Sequence, residues 1–311
     1  MSWFPERIRG MTAKIEGAYG VDAVPAVGTD ALRVERLWSN VRILPNWPNK
    51  QPDAATGTAM PMKGAVPRGR YVEANISWIC RGAGADAVIE ADPLLRSAGW
   101  SVVDGALKFD YTLASLNHES ASCYYYTGDL LIKSLGTRSA LRWQLLPGGI
   151  HRWNFLARGR LGAEPATTTL PGGFGYDTTG ALTGVALTLT VNGVWTPALI
   201  AAEFDQGCEP LLSEDANHTD GLGEFDWAEP EPFLTLTARK PALATYNPYA
   251  DALATTAGGI NATLGNTQFN RLKLSLPETC VETPAPADSQ GFVNHQLRYN
   301  ITGPPPVITS D

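Results

Sequence analysis

Residues 71–100, YVEANISWICRGAGADAVIEADPLLRSAGW, decide how the rest of the chain is read. Val72, Ala74, Ile76, Trp78 and Cys80 alternate with Tyr71, Glu73, Asn75, Ser77 and Arg81. A period of two sends one set into a core and the other toward solvent, which predicts a half-buried antiparallel strand. After a break at Gly82 and Gly84, Asp92-Pro93 opens the run Leu94 to Ala98, and Gly99 closes it. An acidic cap, a proline at the first helical position and a glycine past the end predict a short helix. The chain is therefore expected to be a sheet protein built outward from this strand and its covering helix.

The 311 residues suffice for one large core or two modest ones. The 31 glycines and 23 prolines fall between alternating runs, as turn residues do in an all-β architecture. With 18% charged and 44% apolar residues, charge-driven disorder is excluded. A net charge of -7 with no basic block argues against tight nucleic-acid binding, because nothing would neutralise a phosphate backbone. Cys80, Cys123, Cys208 and Cys280 lie far apart without a C-x-x-C spacing, so reduced core cysteines are expected rather than a disulfide framework. The start, MSWFPERIRG, has no apolar leader core, and no window reaches the roughly 18 apolar residues of a spanning helix. Folding in a cytoplasm, away from membranes, is the expectation.

Composition divides the chain into an extended arm over 1–40, a long proline-rich loop or hairpin over 41–70, a strand-rich domain over 71–303 and an exposed tail over 304–311. Within the arm, glycines and Pro25 forbid a helix. Inside the domain, LRWQLLPGGIHRWNFLARG reads as a hairpin with Leu141, Trp143, Leu145, His151, Trp153, Phe155 and Ala157 on one face. A crossing loop over about 161–180 precedes Asn192-Gly193, whose flanking apolar runs predict a second hairpin. Asn247-Pro248 caps a second short helix, which Gly258-Gly259 ends. The sum is about a dozen strands and two helices.

Catalytic motifs with glycine-rich phosphate loops, paired zinc histidines or a nucleophile elbow are absent from the sequence. His118, His151, His218 and His295 are scattered singly and read as structural rather than metal-ligating. The best candidate site is the acidic cluster Glu214, Asp215, Asp220, Glu224, Asp226, Glu229 and Glu231. Asp215, Asn217 and Thr219 have calcium-loop spacing, but Asp220 stands where that loop needs glycine and Asp226 replaces its final glutamate. The alternatives are a solvated loop or a negative surface formed when copies assemble. No catalytic residue, cofactor or metal is assigned.

Three stretches carry a resemblance: KIEGAYGVDAVPAVGTDALRV, VEANISWICRGAGADAVIEADPLLRSAGW and LIKSLGTRSALRWQLLPGGIHRWNFLARGRLG. In order and content they resemble the tail tube protein, or major tail protein, of long non-contractile-tailed bacteriophages. Ser139 departs from the glycine expected after the turn arginine. The resemblance implies a mainly β fold, an antiparallel sandwich or barrel with two short helices, working in the virion tail after assembly in the host cytoplasm. It implies a structural role, not an enzyme: hexameric rings of the chain stack into a tube that also meets tape measure, terminator and baseplate proteins. DNA would pass through without specific binding. The arm and loop residues Ile15, Tyr19, Val21, Pro25, Trp47, Met60 and Met62 would reach neighbouring copies, and the polar strand face Tyr71, Glu73, Asn75 and Ser77 would see the channel. Rival readings are another phage tail ring protein, or a carbohydrate-binding or glycoside-cleaving β-sandwich in which Trp47 and Trp195 stack on sugars.

Overall fold

In a computed structural model the described residues are 9–35, 41–44, 49–52, 62–66, 69–127, 129–168, 171–215, 217, 221–289 and 292–311. They form a mainly β protein with two short α-helices, its strands joined almost entirely into one barrel-like antiparallel sheet around a single core.

The strand Tyr71–Ile79 is central, and its burial alternates as the sequence demands: Val72, Ala74, Ile76 and Trp78 are inside. On one side it pairs with Arg152–Leu161 in the register Trp78 to Trp153, and on the other with Val41–Leu44. Arg152–Leu161 returns from the long strand Leu130–Leu145, placing Trp143 opposite Trp153. These indoles meet at the core's centre, Trp153 lying 5.0 Å from Trp78 and 5.3 Å from Trp143. Burial of each such large side chain contributes about 1.5–3 kcal/mol, so this aromatic cluster is a principal anchor.

Leu130–Leu145 is the branch point of the sheet. Its first half pairs with Ala121–Thr127, which in turn pairs with Arg9–Ile15. Its second half pairs with Leu199–Asp205, from which the ladder continues through Phe233–Arg239, Phe292–Ile301 and Asn270–Val281. Two hairpins stand outside this sheet, each with its own ladder: Asn49–Pro52 with Met62–Val66, and Pro210–Glu214 with Leu222–Trp227.

The helix Asp92–Ser97 begins after Ala91, with Asp92 and Pro93 in its first turn, so Asp92 is not the cap. Asp92 instead lies buried with its carboxylate 3.5 Å from Arg96, one turn along the helix. Gly99, at φ +84°, ends the helix in a conformation that favours glycine. The second helix, Pro248–Ala254, is capped by Asn247, whose Oδ1 accepts from the Ala250 amide. It ends at Thr255 in the left-handed region, not at the glycines, which lie in the strand Ala257–Thr267.

Several expectations are corrected. Residues 9–15 are not a surface arm: Met11 and Ala13 enter the core on a strand with a full ladder. The tail is not exposed either, because Val307–Ser310 fills the gap between Lys108–Leu113 and Asn270–Val281 and buries Ile308. Four alternating residues with a partner on each side are enough for a strand, even after three prolines. Asn192-Gly193 does form a turn with positive φ at both residues, but no hairpin ladder follows. Leu187–Val191 pairs with Ala257–Thr267, while Leu199–Asp205 joins the main ladder; Pro197, which lacks an amide hydrogen, lies between. No helix among the described residues is long and apolar enough to cross a membrane.

Candidate functional site

The acidic stretch proves to be a hairpin fastened to the body at one compact node. Its foundation is Glu16, just past the strand Arg9–Ile15 and only 8% exposed. One carboxylate oxygen accepts from the Ser122 hydroxyl and the Gly136 amide, both at 2.8 Å. The other accepts from the Gly20 amide at 2.8 Å and the Ser120 hydroxyl at 2.6 Å. A buried carboxylate is costly unless its lone pairs are met, and here four donors meet them. The turn that follows is thereby pinned to the long strand at its bulge.

Tyr19, on that turn, lies over Gly136, whose φ is +59° and where a Cβ would come within 2.6 Å of the phenol ring. Glycine is required there on both counts. The Tyr19 hydroxyl accepts from the Phe225 amide at 2.7 Å, and burial pushes the phenol up to about 12. Arg138 lies between two rings, its guanidinium carbon 5.5 Å from the Tyr19 centroid and 5.2 Å from that of Trp227. It donates to Asp226 at 2.9 Å and reaches Glu224 at 3.8 Å. His118 completes the cluster, 3.5 Å from Asp226 and edge-on to Trp227. The Trp227 indole donates to the Ser139 carbonyl.

Glu224 and Asp226 are therefore anchored acids rather than free ones. Asp215 accepts from both the amide and the side chain of Asn217 in a local turn. Glu214 closes the strand Pro210–Glu214, and Asp220 lies outside the described residues. No three His, Cys, Asp or Glu side chains come together as a metal site among the described residues.

The predicted polar strand face meets the same hairpin. Arg158 donates to Glu73 at 2.9 Å and to the Pro210 carbonyl at 2.8 Å, and the Tyr71 ring stands edge-on to Phe225. Tyr71, Glu73 and Ser77 are half-buried and only Asn75 is exposed. Beside them the sheet forms a shallow concavity of about 390 Å³, bounded by Asn75, Ser77, Arg142, Asn154 and Glu203. Arg142 is neutralised there by Asp205 at 2.8 Å.

Of the residues expected to reach other copies, Ile15 packs on the core, Tyr19 is held in the node and Pro25 is buried. Among the described side chains of this set, Val21 alone is exposed, at 59%. The reason is that this segment finds its own partners: Asp22, next in sequence, is bonded to the Tyr124 hydroxyl, and its carboxyl is held below the usual range by Tyr124, Val24 and Lys133 despite partial burial. Met62 begins a strand of the separate hairpin, whereas Trp47 and Met60 lie outside the described residues. Trp195 is no sugar platform, since it is buried and stacked on Tyr246 at 4.8 Å.

Sequence reasoning placed Arg138 in a turn through the resemblance but gave no contact to Glu16, Gly136, Arg138 or Trp227. A lone glutamate ahead of Gly17 and Gly20, and an arginine two residues after a glycine, were the available signals. Ser139, the departure from the expected glycine, is fully buried, and its hydroxyl ties the long strand to the helix by donating to the Leu94 carbonyl. No known family model matches the chain, and no curated protein matches it.

Proposed function

We propose that this chain is a structural subunit of a bacteriophage tail tube, which works by assembling into stacked hexameric rings rather than by catalysis. The observation that carries the reading is the hairpin Asn49–Pro52/Met62–Val66, which has its own ladder and, among the described residues, no ladder to the body. A two-stranded hairpin is marginal alone in water and gains stability when a partner covers it. In a ring, that partner is the adjacent copy.

A second feature accompanies it. The three stretches that resemble the tail tube family form one contiguous unit here, Glu16 bonding Gly136 and Tyr71–Ile79 pairing with Arg152–Leu161. Tyr71 and Glu73 meet the acidic hairpin, so the part of the polar face we assign to the channel wall is Asn75 and Ser77 with the concavity beside them. With a chain charge of -7, such a conduit repels DNA and lets it pass without specific binding. Tape measure, terminator and baseplate proteins are the partners at the tube's ends and along its interior, and the virion tail is the location.

The test is to replace residues 49–66 by a short Gly-Ser link and to image both chains by negative-stain microscopy. The reading expects rings and tubes from the intact chain and a folded, non-polymerising monomer from the shortened one. Tubes formed equally by the shortened chain would remove the hairpin from the account.

A further inference from the structure

One arrangement of elements occurs twice along the chain. In the first half the strand Val41–Leu44 leads to a hairpin with a separate ladder, Asn49–Pro52/Met62–Val66, and then to Tyr71–Ile79. In the second half Leu199–Asp205 leads to the separate hairpin Pro210–Glu214/Leu222–Trp227 and then to Phe233–Arg239. Each time a short helix led by an Asx-Pro pair follows, Asp92–Ser97 or Pro248–Ala254. Next comes a tight antiparallel hairpin, Trp100–Gly105/Lys108–Leu113 or Ala257–Thr267/Asn270–Val281. Its turn holds a non-glycine residue at positive φ, Leu107 at 61° or Phe269 at 63°. A last hairpin closes each set, Leu130–Leu145/Arg152–Leu161 or Ala285–Ser289/Phe292–Ile301. The strand Ala121–Thr127 belongs to the first set alone, and Val307–Ser310 to the second.

The pairing repeats with the order. Val41–Leu44, Tyr71–Ile79, Arg152–Leu161 and Leu130–Leu145 lie side by side in that sequence, each antiparallel to the next. Leu199–Asp205, Phe233–Arg239, Phe292–Ile301 and Ala285–Ser289 lie side by side in the same way. Neighbours in sequence usually pair, and a plain meander would run first, second, third, fourth. Both sets instead run first, second, fourth, third. Single backbone bonds recur as well: the Cys80 amide donates to the His151 carbonyl as the Lys240 amide does to Val293, and the Leu161 amide donates to Arg70 as Ile301 does to Pro232. With Tyr71–Ile79 and Phe233–Arg239 matched at their ends, Asn75, Ser77 and Asn154 on the polar face correspond to Thr235, Thr237 and Gln296.

The two sets join edge to edge. The third strand of the first, Leu130–Leu145, pairs with the first strand of the second, Leu199–Asp205, where Arg142 and Asp205 stand opposite and form an ion pair. Among the described residues, the outermost strands of the eight, Val41–Leu44 and Ala285–Ser289, each carry a ladder on one side only. They are again a first and a third strand. We infer that the chain is two tandem tube units, and that Ala285–Ser289 of one copy pairs with Val41–Leu44 of the next as Leu130–Leu145 pairs with Leu199–Asp205 within the chain. The inference rests on the tube reading and changes its count: the six members of a ring are units, and three chains close it. The contact is head-to-tail, so its repetition closes a ring. Strand pairing keeps alternate side chains on one face, which carries the polar wall unbroken across both kinds of joint. Pro286 has no amide hydrogen, so the edge between chains offers one donor fewer, and a proline there also guards a free edge against indiscriminate pairing.

Two measurements on the full-length chain test this. Cryo-electron microscopy of the assembled protein, with native mass spectrometry of its rings, is expected to give three-fold symmetry and three chains of 33.3 kDa, about 100 kDa per ring. Six chains per ring, about 200 kDa, under true six-fold symmetry would overturn the inference and leave the tube reading standing. The second measurement is cross-linking. Ala285→Cys is combined with Arg42→Cys or with Leu44→Cys, the two positions that the internal register sets opposite 285 when the second strands are matched at their ends or at their starts. Directly opposite residues on paired strands lie within disulfide reach. Mild oxidation of the assembled protein is expected to give, for one of these pairs, a ladder of linked chains that stops at three. The single-cysteine variants supply the background from the native thiols, and circular dichroism establishes folding. Assembled chains that link through neither pair overturn the joint, and a ladder running on to six overturns the count. If the intact chain never assembles, the tube reading itself fails and the inference falls with it.

Discussion

Replacing Glu16 by glutamine probes the node with almost no change in shape. The carboxylate accepts two bonds at each oxygen, so an amide nitrogen must face either the Ser122 and Gly136 donors or the Gly20 and Ser120 donors. The second arrangement costs less, because the Ser120 hydroxyl can turn to accept while the half-buried Gly20 amide finds water. What remains lost is one backbone bond and the charge assistance of the other three. Bonds to an ionised group are worth about 1.5–3 kcal/mol against about 0.5–1.5 for neutral ones, which places the loss at roughly 2–3 kcal/mol. Glu16→Ala strands the buried Gly136 amide as well and is expected to cost about 4 kcal/mol. Urea unfolding of the three proteins measures both, and a melting shift of roughly 3–5 °C should accompany the glutamine change in a chain of this length. A glutamine variant within about 0.5 kcal/mol of the parent would refute the idea that this carboxylate organises the turn.

Other expectations concern the same architecture. Arg138→Met and Asp226→Asn, singly and together, should give a coupling of about 0.5–1 kcal/mol, small because Asp226 is largely exposed, with faster proteolysis within the acidic hairpin as the companion readout. His151 is fully buried, accepts from the Leu146 amide and is driven down to about 4 by burial. Its folded value lies below the unfolded one, so its contribution is present above about pH 6.5 and is lost as pH falls toward 4, by roughly 2–3 kcal/mol. An imidazole resonance with a midpoint near 6.5 in the folded chain would contradict this assignment. Trp195→Ala should cost about 3–5 kcal/mol in denaturant unfolding, since the indole is core and stacked on Tyr246.

What could be read from the sequence was whatever depended on periodicity. The strand Tyr71–Ile79, the hairpin about Pro147–Gly149 and the two proline-led helices follow from spacing and local turn chemistry. Long-range choices left no such trace. Asn192-Gly193 makes its turn, yet the strands on either side take other neighbours, because a two-residue signal cannot compete with ladders supplied by distant segments. Residues 9–15 and 307–310 looked peripheral because a short strand is recognisable only with its partners in view. The node was invisible for a similar reason: Glu16 lies 120 positions from Gly136, and Tyr19 lies 206 from Phe225. Removing the first forty residues would not test assembly cleanly, since it takes a core strand and the foundation of the node with it.

The most direct measurement is cryo-electron microscopy of the purified full-length chain, with sedimentation over the same concentrations. The account predicts six-membered rings stacked into hollow tubes, with the hairpin of each copy lying on another. A monodisperse monomer persisting at every concentration would contradict it.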